Sequence, residues 1–463
     1  MSARRIVMAG SAASSTRRRE RARDRGRKSE QGIAIIIAMT AVAILSVMLA
    51  DMHQSTTSRY IAATATRDTL RAEYLADSAL DLTRLLMARE PALKQSVTPL
   101  FQMMLGRPPP QIPVWKIANA ILQPFCDYTG AQASARESGI DLSAAEGLGE
   151  TGGTCSVVAV AENGKTNIND PLHRDGDEAR RSVGMQVFAL LGGYHSPSPY
   201  DALFETRDPD GQLTGRLDVV SDMIDWWDLD QERTLFDPGL NAITSSGAED
   251  DIYSSFRDPY TVKNAPYDSL EEVRMIRGVG DDFWATFVQP DPDDPSQDHL
   301  TIYGSGNVNP NEAPPEVLLA RACSFLTDQP LCADPAEVAK FVQLLTTVRD
   351  IAPIPWFTRN EDFLAFLQGQ GGANDLYPML RSMLGADNPL LFRPVTVPPD
   401  KRQGLNDTFV TISKIITIQA TGQVGRARTR IRAVVNFDER WVPPPPNAGT
   451  LPGLGVFAYY RMD

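Results

Sequence analysis

The sequence has 463 residues, enough for two or more packed units, with 45 basic and 58 acidic side chains and a net charge of −13. The charge is uneven, because residues 1–32 carry ten Arg or Lys and only three acidic residues, a net of +7, which leaves −20 for the remainder. This acidic remainder, called the body below, would repel phosphates. The charge therefore argues against nucleic-acid binding and favours divalent cations or basic partners.

An apolar segment follows the basic head. Gly32–Ala50 contains no charged residue and would form a helix about 28 Å long, close to the thickness of a membrane's hydrocarbon core. The positive-inside rule keeps the basic head in the cytoplasm and sends the acidic body across. The sequence therefore predicts one membrane-spanning helix.

Three kinds of export signal have this form. An ordinary signal peptide requires a small-x-small cleavage site after the apolar segment, but Asp51-Met52-His53-Gln54 follows it. A plain signal anchor is not cut. The third kind is cut on the cytoplasmic side, before the apolar segment, and Gly32 directly before Ile33 fits it.

This Gly32–Ile33 junction resembles the prepilin leaders of type IV pilins and type II secretion pseudopilins. The resemblance implies that a prepilin peptidase cuts between Gly32 and Ile33 and that Ile33 is then N-methylated. The fifth residue of the mature chain is Ile37, where most of that superfamily has a Glu that pairs with a neighbouring subunit. An apolar residue there is typical of minor pseudopilin K of type II secretion and favours a subunit at the fibre tip.

The helix is expected to continue beyond the membrane. Leu75, Ala79, Leu82 and Leu86 share one helical stripe, and Pro91 is the expected stop. A long N-terminal helix, half in lipid and half under a folded body, is the plan of a pilin.

The body begins with a predicted strand, Thr154–Ala161, followed by an Asn163-Gly164 turn. Two related phrases follow strand-like segments and precede helix-like ones, and we interpret them as switch points from sheet to helix; they are Asn167-Ile168-Asn169 and Asn307-Val308-Asn309-Pro310-Asn311. Residues 408–417 and 427–437 alternate like antiparallel strands.

Six phrases in order make the resemblance to general secretion protein K close. Their counterparts here are Gly164-Lys165-Thr166-Asn167-Ile168-Asn169, Trp226-Trp227-Asp228-Leu229-Asp230, Gly247-Ala248-Glu249-Asp250, Pro259-Tyr260 with Lys263-Asn264, Leu270-Glu271-Glu272-Val273 with Gly278, and Asn307-Val308-Asn309-Pro310-Asn311-Glu312-Ala313-Pro314-Pro315, which has one or two extra residues. Ser269 and Glu272 form a capping box that starts the helix of the fifth phrase.

The resemblance implies an α+β fold, in which a pilin-like long N-terminal helix packs on an antiparallel sheet with a large α-helical domain inserted in the sheet. The implied partners are minor pseudopilins I and J, the prepilin peptidase, the inner membrane, and the secreted substrate or outer-membrane channel, with the body in the periplasm. The expected segments are a leader (1–32), a transmembrane helix (33–51), a stem and first pilin-like part (52–172), an acidic α-domain (173–297), the remaining pilin-like part (298–441) and a Pro-rich disordered tail (442–463).

Two acidic clusters are candidate cation ligands: Asp225, Asp228, Asp230, Glu249 and Asp250. Calcium prefers such carboxylate oxygens, and closely packed acids repel one another unless a cation neutralises them. The spacing is not that of an EF-hand, and no Cys or His pair has zinc spacing. The family resemblance also implies calcium in the α-domain; the alternative is a solvated acidic surface.

Cys126, Cys155, Cys323 and Cys332 fit two disulfides in an exported body, and the sequence permits three connectivities. The alternative is four unrelated buried thiols. The sequence alone does not choose between these pairings.

No enzyme motif surrounds His53, His173, His195 or His299, and we expect no catalytic activity. The hairpin ending at Gly278 and Gly280 resembles a helix-hairpin-helix, but Asp281-Asp282 opposes a phosphate there. Two other functions are a minor pilin of a type IV pilus and an anchored periplasmic calcium-binding or hydrolytic protein.

Overall fold

The computed structural model describes residues 11–105, 109–126, 152–169, 176–195, 197–204, 211, 213–351, 355–372, 375–386, 388–438 and 453–463. The chain divides into two compact units, Met1–Leu70 and Arg71–Asp463. His173, the start of the predicted leader (1–10) and residues 439–452 lie outside the described residues.

Thirteen α-helical segments are described, numbered in chain order. They are α1 (Ser11–Ala88), α2 (Glu90–Leu105), α3 (Val114–Cys126), α4 (Gly176–Leu190), α5 (Asp201–Phe204), α6 (Arg216–Asp225), α7 (Asp281–Phe283), α8 (Pro315–Cys323), α9 (Pro330–Ala333), α10 (Pro335–Ile351), α11 (Asn360–Leu367), α12 (Leu376–Leu384) and α13 (Pro399–Thr408).

Eight strands accompany them: β1 (Thr154–Ala161), β2 (Thr166–Asn167), β3 (Glu232–Asp237), β4 (Ala242–Ala248), β5 (Leu300–Thr301), β6 (Ile415–Val424), β7 (Ala427–Asn436) and β8 (Val456–Met462). Four of them form one antiparallel sheet in the order β1-β6-β7-β8. The short strands β2 and β5 pair in parallel, and β3 and β4 form a hairpin.

Helix α1 changes character along its length. In the first unit its apolar side chains from Ile33 to Leu49 are all exposed. Within the described residues, the segment that starts at Gly32 is the one helix long and apolar enough to cross a membrane. In the second unit the small and apolar side chains of α1 are buried against the sheet; they are Ala72, Leu75, Ala76, Ala79 and Leu80.

The close contact between α1 and the sheet depends on Gly422 of β6. A Cβ at this position would lie 2.0 Å from the backbone oxygen of Ala72. Glycine therefore lets the α1 backbone approach the strand directly. The helix ends at Ala88, three residues before Pro91, and the predicted α+β fold class is confirmed.

The helical insertion covers more of the chain than the expected range, 173–297. Neighbouring strands β1 and β6 are separated in sequence by every element from β2 to α13. The hydrophobic cluster of this insertion runs from Ile168 to Phe409 and includes residues of α8 to α13. The expected boundary at 297 is thus not where the packing changes, because segment 313–400 belongs to the helical domain.

Two strand assignments are also corrected. The predicted strand 408–417 begins at Ile415, because Thr408 ends α13 and Phe409 makes an isolated parallel bridge with Val308. The expected disordered tail contains β8, whose residues Val456–Met462 pair with β7. The side chains of β8 show no regular alternation of burial, so its own sequence gives no strand signal.

The two Asn-x-Asn phrases make the same contacts. The Asn169 side chain donates to the carbonyl of Tyr267 (3.0 Å) and accepts from its N–H (2.8 Å). Asn311 does the same with Phe357, at 2.8 and 3.0 Å. Each phrase therefore ties a strand end to the segment that precedes a capped helix, as expected of a switch point.

The capped helices that follow these contacts also correspond. Glu272 accepts from the N–H groups of Asp268 and Ser269, at the start of the 3₁₀ helix Leu270–Met275. Asp362 accepts from the N–H groups of Thr358 and Arg359, at the start of α11. Because each acid lies five residues after the anchored aromatic residue, the helical domain contains two copies of one local arrangement.

Candidate cation site in the helical domain

Three of the five predicted ligands meet in a buried cluster. Asp225 is the last residue of α6, Asp228 lies in the turn after it, and Glu249 follows β4. One carboxylate oxygen from each lies within 4.8 Å of the others, and all three side chains are buried. We refer to these three residues as the carboxylate triad.

The hairpin of β3 and β4 positions the triad. The N–H of Thr234 in β3 donates to Oδ1 of Asp225 (2.8 Å), which fixes the end of α6 against the strand. The N–H of Glu249 donates to the carbonyl of Gln231 (3.5 Å), which closes the hairpin beside α6. The two acidic phrases, distant in sequence, are therefore adjacent in the fold.

The triad has oxygens with no donor. Oδ2 of Asp225, Oδ1 of Asp228 and both carboxylate oxygens of Glu249 are buried and accept no hydrogen bond from the described residues. Buried, unpaired carboxylates are costly, and coordination of a cation removes that cost. The donor set consists of oxygens alone, which suits calcium rather than zinc.

The electrostatics point the same way. Burial, with repulsion from Asp228, raises the pKa of Asp225 to about 7. Burial and the charge of Asp230 raise the pKa of Asp228 to about 6 despite Arg180, and burial with the surrounding acids raises that of Glu249 to about 8. Without a cation, the three groups therefore resist ionising together near neutral pH.

Asp230 and Asp250 have other partners. Arg180 of α4 bridges Asp228 (3.1 Å) and Asp230 (2.6 Å). Oδ1 of Asp250 accepts from the N–H of Val262 (2.9 Å). Arg180 thus pairs with Asp230 as well as with Asp228, and Asp250 supports a loop; neither Asp230 nor Asp250 is among the carboxylates that lie within 4.8 Å of one another.

The sequence analysis did not assign two residues near the triad. No sequence pattern pointed to Arg180, because it lies on α4, which is distant in sequence from the acidic phrases. Asn264 does fall within a quoted phrase; its side chain donates to the carbonyl of Asp230 (2.6 Å), while its own buried Oδ1 accepts from no described residue. That oxygen is a further candidate ligand.

The cysteines form two disulfides in the structure. Cys126 of α3 pairs with Cys155 of β1, and Cys323 of α8 pairs with Cys332 of α9. The first joins a helix to the edge of the sheet, and the second closes a turn in the helical domain.

The predicted processing residues lie in the first unit. Gly32 and Ile33 occupy consecutive positions within α1, and both are exposed. No described atom approaches within 4 Å of the place where a Cβ on Gly32 would be. Ile37, which replaces the usual Glu, is exposed one turn further on.

Comparison with known proteins gives a sparse result. No protein-family model matches the chain, and no curated protein matches it. A solved structure that resembles it is a chain of the GspK–GspI–GspJ complex from the enterotoxigenic Escherichia coli type 2 secretion system. The identity is 12% and the TM-score 0.34, over 67% of this chain and 80% of that one. The case for function rests on the residues and geometry of the chain itself.

Proposed function

We propose that the chain is a minor pseudopilin of a type II protein secretion system. It is held in the inner membrane by one helix, with its N-terminus in the cytoplasm and its body in the periplasm. It lies at the tip of the pseudopilus and initiates assembly with minor pseudopilins I and J. It has no enzymatic activity and binds no nucleic acid.

One observation carries this proposal: α1 combines a membrane-length apolar segment with a face packed on an antiparallel sheet. The apolar residues from Ile33 to Leu49 are exposed, whereas one face of the same helix further on is buried on β6 and its neighbours; it consists of Ala72, Leu75, Ala76, Ala79 and Leu80. A helix that served only as a membrane anchor would not need a face packed on an antiparallel sheet. Gly32, immediately before the apolar segment, supplies the junction that a prepilin peptidase recognises.

The tip position rests on Ile37 and on the helical domain. A carboxylate in lipid is costly unless it is paired, so a subunit with Ile37 does not need a neighbour's amine at that depth. The bulk inserted between β1 and β6 would obstruct the stacking of another subunit above. In that position the domain is also placed to contact the secreted substrate or the outer-membrane channel.

Calcium is the proposed ligand of the carboxylate triad. Asp225, Asp228 and Glu249 would hold it, since their unpaired buried oxygens fit an oxygen-coordinated divalent cation. The bound ion would neutralise the triad and lock α6 to the β3–β4 hairpin. Its function would be structural.

Processing of the N-terminus tests the proposal. The full chain would be co-expressed with a prepilin peptidase, beside Gly32→Ala and, as a matched control, Gly26→Ala within the leader. We expect the wild-type and Gly26→Ala chains to begin at methylated Ile33 and the Gly32→Ala chain to stay uncut. Intact mass and N-terminal sequencing provide the readout.

A chain that keeps its basic head in the presence of the peptidase would contradict the pilin class. The remaining function would then be an anchored periplasmic calcium-binding protein, which the carboxylate triad favours independently. A correctly cut chain that binds neither pseudopilin I nor J would instead favour a minor pilin of a type IV pilus. Pull-down of the processed chain with each pseudopilin distinguishes these two outcomes.

A further inference from the structure

The two edges of the four-stranded sheet differ. At the β1 edge, α3 covers the strand: the disulfide Cys126–Cys155 joins the two, and Oδ1 of Asn119 accepts from the N–H of Val157 (3.0 Å). A side chain thus replaces the missing neighbouring strand. Such protection is the usual treatment of an exposed sheet edge.

At the start of β8, Arg84 of α1 donates to the carbonyls of Leu454 (3.0 Å) and Gly455 (3.3 Å), but from Tyr459 onward this edge has no such cover among the described residues. Asp463 and Arg430 of β7 exchange both of their backbone hydrogen bonds, at 2.8 and 2.9 Å. Because the direction of these bonds alternates along an antiparallel strand, Arg461 also faces β7, while Tyr460 and Met462 point their N–H and C=O groups away from the sheet. No described group bonds to those outward groups.

The side chains of β8 also suit a covered strand. Phe457, Tyr460 and Met462 are 39%, 44% and 38% exposed, and Arg461 is the only charged residue of the strand. A bulge interrupts the ladder before Tyr459, but the residues after it pair regularly. An exposed, regular and apolar edge is a template for one more strand.

An acidic row borders this edge. Glu73, Asp77 and Asp81 of α1 are four residues apart and share one helix face, and Asp81 also pairs with Arg84 (2.8 Å). Asp77 accepts a hydrogen bond from the Tyr460 hydroxyl (3.1 Å). Burial, followed by these three carboxylates, raises the pKa of Tyr460 to about 12, so the row lies close to the strand.

We propose that the β8 edge binds an extended segment of a partner protein as an added strand, with Lys or Arg side chains of that segment facing Glu73, Asp77 and Asp81. The backbone of Tyr460 and Met462 supplies the hydrogen bonds, and the acidic row selects for basic residues on the α1 face. The inference goes beyond the proposed function, since it needs neither membrane processing nor calcium.

A second copy of the chain is a poorer occupant. Two-fold pairing of β8 with itself would place both α1 helices on the same face of the joined sheet. The two acidic rows would then approach each other, and like charges across an interface are unfavourable. Charge complementarity therefore favours a different, basic partner.

Amide hydrogen exchange tests the added strand directly. The probe is an acetylated, amidated peptide of alternating Lys and Val, as long as β8 itself, added to the full chain in a non-ionic detergent. In the free protein we expect fast exchange at the Tyr460 and Met462 amides and slow exchange at Arg461. The peptide should slow exchange at Tyr460 and Met462 and leave Arg461 unchanged.

Two variants separate the backbone and charge contributions. Met462→Pro removes an outward N–H without breaking the ladder to β7, and should weaken peptide binding roughly tenfold. Glu73→Gln with Asp81→Asn should weaken it roughly fivefold. The matched control neutralises two exposed acids elsewhere, Asp350→Asn with Glu361→Gln, and should bind like the wild type. Thermal midpoints and the Arg461 amide report whether each variant is folded.

Three results would overturn the proposal. One is equal binding of a Glu–Val peptide of the same length, and another is undiminished binding to the folded Met462→Pro chain. The third is protection of Tyr460 and Met462 by self-association without any peptide. If Met462→Pro does not fold, the charge-neutralised pair and its control decide the question.

Discussion

At the scale of single residues, the sequence predicted which residue types form the carboxylate cluster, but not which of the five candidates belong to it. Acidic residue types in two phrases predicted oxygen ligands, and Asp225, Asp228 and Glu249 do converge. Asp230 is held instead by Arg180. That outcome depends on a helix packed across from the phrase, which no local pattern encodes.

The triad predicts a pH dependence for the calcium-free protein. Its three carboxyls have raised pKa values of about 6, 7 and 8 in the folded chain, against roughly 4 when unfolded. Their stabilising contribution is therefore complete below the unfolded pKa and is lost as pH rises through the folded values. In EDTA, the thermal midpoint should fall between about pH 5 and pH 8, and calcium should restore it at pH 8.

The substitution Asp225→Asn should flatten this pH dependence and weaken the calcium response. Asp251→Asn changes an exposed neighbour in the same acidic phrase and should leave both unchanged. A midpoint that rises with pH in EDTA, or that ignores calcium at pH 8, would contradict the assignment. Differential scanning calorimetry of the full chain in detergent gives these midpoints.

At the scale of elements, sequence periodicity predicted the buried face of α1 and the bounds of β1. It failed for β6 and β8, whose bounds depend on contacts with neighbouring segments. The stripe through Leu75 and Ala79 is buried, and β1 has the expected bounds. Strand β6 begins later than predicted because residues 409–414 contact the helical domain instead of the sheet: Phe409 bridges to Val308, and the Thr411 hydroxyl donates to the carbonyl of Thr358. Strand β8 was missed because its stability comes from pairing with β7, not from its own composition.

The contact between α1 and β6 predicts a large effect at Gly422. In Gly422→Val the new side chain would occupy the space of the α1 backbone, which lies 2.0 Å from the position of a Cβ. The helix must shift, and we expect a loss of about 1–3 kcal/mol or more in the free energy of unfolding. Thermal unfolding followed by circular dichroism measures it.

The matched control is Thr421→Val, one residue earlier on the opposite face of β6. It adds a similar side chain away from α1, so we expect a change within about 0.5 kcal/mol. Equal effects of the two substitutions would show that strand propensity, and not the helix contact, is responsible.

At the scale of the whole second unit, a buried ionic network joins the sheet to the helical domain. Lys165 contacts Glu162 (2.8 Å) and Asp298 (3.7 Å), and Asp298 also pairs with Arg432 of β7. Glu162 accepts hydrogen bonds from the hydroxyls of Thr301 and Thr417. Lys165 keeps the pKa of Glu162 below its usual value despite burial.

The network predicts that Lys165→Met is strongly destabilising, although methionine fits the volume. It would leave the buried carboxylate of Glu162 without its cation and Asp298 with Arg432 alone, at a cost of about 3–5 kcal/mol. Adding Glu162→Gln should recover part of the loss, because one buried charge is removed with its partner. Urea unfolding of four chains, namely the wild type, each single variant and the double variant, gives the coupling energy.

Lys414→Met is the matched control, since Lys414 pairs with Asp438 at the surface. Exposed pairs contribute little, so we expect a loss of less than about 1 kcal/mol. A similar loss in both variants would mean that burial does not strengthen the network.

The insertion between β1 and β6 also sets the order in which parts of the chain can fold during synthesis. Glu162 and Thr417 bond to each other across 255 residues, so β1 emerges long before any strand that can pair with it. The helical domain has its own hydrophobic core and can fold before β6 is synthesised. The apolar face of α1 stays exposed to solvent until then. A chain whose synthesis stops before residue 415 would therefore have a folded helical domain but no sheet for α1 to pack on. In that state the apolar face of α1 would be accessible to chaperones and proteases.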